Sequence, residues 1–240
     1  MLVSAAVCPH PPLLVPEVAG EAASELDGLR AACAEAVRRL GDADVVVVVG
    51  GADETRAYGP GATGTLKPYG LDRRFGPEGG EPLPLSLTIG CWLLRDLAGT
   101  HVRYQSVAFG AAPEECLGLG RALADSAGRV ALLVMGDGTA CLSQKAPGYL
   151  DERAEAFDAE VAKALGHADA AALAALSPEL SGELQAAGRA AWQVLAGAVT
   201  APGAGPFGAE PLAHEAPYGV GYHVASWLHA PTAPVRHMPG

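Results

Sequence analysis

Charge and aromatic rings are both scarce in this sequence: charged residues make up 18% and aromatic residues 5%, against 50% hydrophobic residues. So little charge at that hydrophobic content excludes a disordered chain, which could not bury enough apolar surface to offset the entropy of ordering its backbone. A basic run is also missing. Sixteen Lys and Arg are scattered among 27 Asp and Glu, for a formal net charge of -11. A chain without a stripe of cations to follow phosphates is not expected to bind bulk nucleic acid. No apolar run approaches the roughly 18 residues that span a bilayer. The apolar N-terminus lacks basic residues and meets prolines by Pro9, too early for a secretory core, so a cytoplasmic location without a membrane partner is expected. The five cysteines form no C-x-x-C pair, which fits reduced, mostly buried thiols and argues against a disulfide framework. Glycine patterns of the dinucleotide or P-loop kind are absent too.

What is present is an alternation of strand and helix signals. Leu2–Val7 reads as a short buried strand that ends in Cys8-Pro9-His10-Pro11-Pro12, where prolines fix φ and remove backbone donors. Glu21–Leu40 carries Leu26, Leu29, Cys33, Val37 and Leu40 at helical spacing, with Gly41 to end it. Five consecutive valines, Val45 to Val49, read as a strand buried on both faces, the mark of a parallel-rich sheet covered by helices. Residues 54–84 have no period and form a long irregular excursion. Leu85–Leu97 reads as a helix, Val102–Phe109 as a strand, Pro113–Ser126 as a helix, and Val130–Met135 as a strand running into Gly136-Asp137-Gly138-Thr139-Ala140. Helices are expected over Asp151–Leu165 and Ser177–Ala198, a Pro/Gly linker over Thr200–Gly208, and a last strand over Gly219–Trp227. The pattern predicts an α/β fold: a single domain over residues 1–230 with a central, mostly parallel or mixed sheet flanked by helices. A Pro-rich C-terminal tail, 231–240, follows it.

Ligands in open α/β sheets bind outside the carboxyl ends of the strands. The loops at Pro9–Pro11, Gly50–Asp53 and Gly136–Thr139 converge there, so His10 is read either as a metal ligand or catalytic group or as a turn histidine. A His and a Glu from distant segments, His10 and Glu215, make two thirds of a 2-His-1-carboxylate arrangement. On the last strand, Tyr222 and His223 must point to opposite faces. Arg56, Lys67 and Arg73 could hold a carboxylate or phosphate, or simply be solvated. Cys141 is read as a buried inert thiol rather than a nucleophile.

Three segments carry a resemblance: PHPPLLVPEV at the N-terminus, the GD turn followed by APGYLDERAEAFD, and HEAPYGVGYHVASW near the C-terminus. Together they resemble the class III extradiol ring-cleavage dioxygenase superfamily, the protocatechuate 4,5-dioxygenase β-subunit-like proteins with Memo-like relatives. The resemblance implies an extradiol dioxygenase subunit-B-like domain, often a homodimer, with non-haem Fe(II) in the enzymes and oxygen-dependent ring cleavage of a small aromatic substrate. Its first His ligand matches His10 and its carboxylate ligand matches Glu215. The second His ligand would fall near Ala52 or Asp53, and the acid/base His at Ala140; neither is a histidine here. Asp53 could supply an oxygen ligand instead, giving a metal set of His10, Asp53 and Glu215 suited to Mn or another hard divalent ion. His214 or His223 could supply the second imidazole, and Asp137 or Tyr218 the acid/base group. Two functions follow as expectations. One is a divergent metal-dependent dioxygenase-like oxidoreductase with Asp137, Tyr218 and His214 as catalytic candidates. The other is a non-catalytic member with no metal, using the cleft for a small-molecule ligand or a protein.

Overall fold

A computed structural model describes residues 1–41, 43–97 and 101–230. Seven strands form one mixed sheet in the order β3-β6-β2-β7-β1-β9-β8. Its centre is parallel: β6 (Val102–Ala108), β2 (Val45–Ala52), β7 (Val130–Met135) and β1 (Leu2–Cys8) run the same way. Antiparallel strands flank this centre. The short β3 (Arg56–Tyr58) pairs with β6, and the hairpin of β8 (Phe207–Glu215) and β9 (Tyr222–His229) joins β1.

The valine run shows why both faces must be covered. Val45, Val47 and Val49 enter the core under α4 (Pro113–Ala124), α5 (Ala154–Gly166) and α8 (Arg189–Val199), while Val46 and Val48 face α2 (Asp27–Arg38) and α3 (Leu85–Leu93). Successive side chains of a strand point to opposite faces, so a strand between two helical layers is apolar at every position. All five valines are at most 1% exposed, and each burial contributes on the order of 2 kcal/mol. Shorter pieces complete the fold: α1 (Pro16–Ala19), the ribbon of β4 (Gly64–Thr65) and β5 (Arg74–Phe75), α6 (Ala170–Ala174) and α7 (Pro178–Glu183).

Several expected boundaries shift for identifiable reasons. The helix expected over Glu21–Leu40 begins as a 3-10 segment over Gly20–Leu26, and only Asp27–Arg38 is α-helical. Ser177–Ala198 divides into α7 and α8, with Gln185 at φ 54° between them. That conformation ends any right-handed helix. The Thr200–Gly208 linker runs into β8, which the sequence concealed because an edge strand is only partly buried and Pro211 interrupts its pattern. Register in the β8/β9 pairing shifts between Pro211 and Ala213. Residues 54–84 contain β3, β4 and β5. The tail, 231–240, lies outside the described residues. All five cysteines are free, and Cys141 is buried against the Leu184 carbonyl, with burial pushing its thiol up.

Candidate functional site

Because β1, β2, β6 and β7 are parallel, the loops that follow Cys8, Ala52, Ala108 and Met135 emerge at one edge. A cleft of ≈ 750 Å³ opens there, walled by His10, Gly51 to Glu54, Arg56, Tyr58, the Glu81–Ser86 segment and Phe109. Gly51 matters to its shape: a Cβ at that position would come 2.4 Å from the Phe109 ring, so the aromatic ring rests directly on backbone. On the opposite wall Ser86 donates its hydroxyl to the Gly51 carbonyl at 2.8 Å.

His10 is 6% exposed. Pro11, at φ −65° and ψ 142°, stiffens the chain after it. The His10 backbone N–H donates to Asp137 Oδ1 at 2.7 Å, and the His10 Nδ1 lies 3.6 Å from the same oxygen, with no hydrogen-bond partner among the described residues. The turn that carries Asp137 is pinned on every side. Gly136 N–H donates to the Cys8 carbonyl (3.0 Å), Gly188 N–H to the Asp137 carbonyl (2.8 Å), and Gly138 N–H to the Gly221 carbonyl (2.7 Å).

Behind this turn lies a second polar group. Asp158, on α5 and 2% exposed, accepts the Thr139 N–H at 3.0 Å and lies 3.5 Å from Nε2 of His223. Gly138 and Gly221 give it room: a Cβ on either would fall 2.5 or 2.0 Å from its carboxylate oxygens. His214, across the hairpin, stacks on His223 with ring centroids 4.7 Å apart. Packing beneath its ring, and then the adjacent His223, hold the His214 imidazole below the ordinary range, while Asp158 opposes them.

The sequence candidates are therefore dispersed. His10 and Asp53 share the cleft, and Asp137 sits directly behind His10. Glu215 ends β8 opposite Tyr222, exposed and off the cleft wall. Tyr218 lines a separate depression with Leu142, Ser143 and Lys145, and its hydroxyl donates to Glu25 at 3.0 Å. His214 and His223 lie on the α5 side with Asp158, whereas Tyr222 packs into the α2 side, the opposite faces that strand periodicity requires. Among the described residues, no group of three or more His, Cys, Asp and Glu side chains is placed to hold a metal ion. The donor set thus does not fit a three-ligand ferrous centre.

The cations expected to bind an anion are otherwise engaged. Arg56 pairs with Glu54 at 3.2 Å and with Glu81, and its guanidinium lies 4.3 Å over the Tyr58 ring. Glu81 first, and Glu54 after it, hold that guanidinium above its ordinary value. Arg73 pairs with Glu17, and Lys67 lines a different pocket beside Thr63 and Arg74. Asp158 is not among the residues expected from the sequence, although the chain carries a signal for it: Ala154, Asp158, Val161 and Leu165 form one helical stripe in which a carboxylate is the exception. Phe109 carried no such signal, since its role comes from the glycine across the loop.

No family model and no curated protein matches the chain. Among solved structures, the uncharacterized protein JW3007 from Escherichia coli K12 is similar, with a TM-score of 0.52 and 13% identity over 94% of this chain and 99% of that one. At that identity the likeness shows the α/β fold alone.

Proposed function

We propose that this chain is a divergent relative of the extradiol dioxygenase-like proteins that uses its strand-end cleft to bind a small organic molecule, with His10 and Asp137 as its acid–base pair in place of an iron centre. One observation carries this reading. A buried imidazole on the cleft wall keeps an unpartnered Nδ1 3.6 Å from a carboxylate that is itself locked in position. A carboxylate at that place orients an imidazole, so that its ring can exchange a proton with a ligand in the cleft. The apolar part of the wall, from Pro82 to Leu85 with Phe109, supplies contact area, as ligand clefts generally do. The dispersal of His10, Asp53 and Glu215 supports acid–base or binding work over ring cleavage at a metal.

The test is elemental analysis of protein purified anaerobically without chelator, repeated on His10→Ala and Glu215→Ala. Sub-stoichiometric metal in all three, even after ferrous iron is added back, is the expected result. Near-stoichiometric iron or manganese lost in both variants would overturn the reading and restore the metal set.

A further inference from the structure

The charges along the cleft wall are unbalanced. Three carboxylates, Asp53, Glu54 and Glu81, face one guanidinium, that of Arg56. Arg56 is already paired: two of the carboxylates hold it and Tyr58 lies under a face of its guanidinium. Asp53 makes no hydrogen bond or ion pair with any described residue. The wall therefore has a spare anion and no spare cation. Beside it, His10 is buried with its Nδ1 turned toward Asp137, and its ring lines the same cleft without a hydrogen bond to any described residue. Phe109, 47% exposed, leaves the part of its ring that does not rest on Gly51 open at the same mouth.

On these grounds we infer that the cleft recognises a compact organic cation, an ammonium group carried on an apolar body. Asp53 takes the charge, Phe109 contributes the negative face of its ring, and Pro82 to Leu85 cover the apolar part. An unpaired carboxylate attracts a cation at every distance inside the cleft, whereas an anionic ligand would meet repulsion from three carboxylates with Arg56 already taken. This inference rests on the cleft being a ligand site, as proposed above, and adds the charge of its occupant.

Calorimetric titration at low ionic strength with three matched probes tests it: cyclohexylammonium, cyclohexanol and cyclohexanecarboxylate. Cyclohexylammonium is expected to bind about tenfold or more tightly than the other two. Asp53→Asn is expected to remove most of that preference, and Asp53→Lys to reverse it in favour of the carboxylate. Asp53 is exposed, so both variants should keep the parent melting temperature, which is checked alongside. Binding of the alcohol or the carboxylate as tightly as the amine, or a preference unchanged in Asp53→Asn, overturns the cation reading and leaves the cleft reading standing. Failure of all three probes overturns both.

Discussion

The backbone N–H of His10 donates to the carboxylate of Asp137 at 2.7 Å, joining two strand-end loops separated by 127 positions in the chain. The bond serves position rather than charge. It fixes where the imidazole sits, with the same oxygen 3.6 Å from the ring's Nδ1.

Asp137→Ala removes the acceptor from a partly buried N–H and is expected to cost about 1–3 kcal/mol. Asp137→Asn keeps an oxygen acceptor and should cost less than half of that. Urea denaturation of both variants checks the order; equal losses would show that the hydrogen bond contributes nothing specific.

Asp158→Ala leaves the Thr139 N–H and the buried His223 ring without their partner. About 3 kcal/mol of destabilisation is expected, because the group removed serves several buried donors at once. The cleft should loosen with it, since Asp158 holds the turn that carries Asp137. Amide exchange over residues 136–139 reads the second effect separately from the first.

Two glycines should respond in opposite directions to alanine. At Gly138 the new methyl group would fall 2.5 Å from an Asp158 oxygen and 2.9 Å from Nε2 of His223, so a loss of about 1–3 kcal/mol is expected. At Gly118, within α4, the nearest heavy atom is 4.0 Å away, and Gly118→Ala should stabilise by roughly 0.5–1 kcal/mol. Melting temperatures of the pair decide it; a destabilised Gly118→Ala would contradict the packing described.

His214 gives a signed pH dependence. Its folded-state pKa lies below the ordinary 6.5, so the unfolded chain binds this proton more readily. The contribution is fully present above 6.5, is lost as pH falls from there toward the lowered folded value, and then levels off. Asp151 and Glu35, each held at about 2 by arginine partners, lose their contributions only at lower pH, as pH falls from their ordinary 3.8 and 4.5 toward about 2. Urea midpoints of the parent protein and His214→Asn, compared from about pH 5 to 7.5, should converge at the acid end. Parallel curves would refute the assignment.

The central strands were legible because burial on both faces leaves a continuous apolar signature, as in Val45 to Val49. So was the meeting of His10, Asp53 and Asp137 at one edge, which follows from parallel connection alone. β8 was not, because half its residues face solvent and Pro211 breaks its alternation. Nor was the double pairing of Arg56, which needs Glu81 brought from 25 residues away. The spacing of charges in the chain does not say which of them neutralise each other.

Both margins of the sheet are unsuited to extension. On one side β3 offers three residues; on the other, Pro211 has no N–H to give and the register slips beside it. An incoming strand would find too short a template at the first and a broken ladder at the second. The hydrogen-bonding groups that a seven-stranded sheet leaves over at its ends are thus kept from nucleating polymerisation, and a chain half hydrophobic in composition can be concentrated with its sheet closed to strand addition.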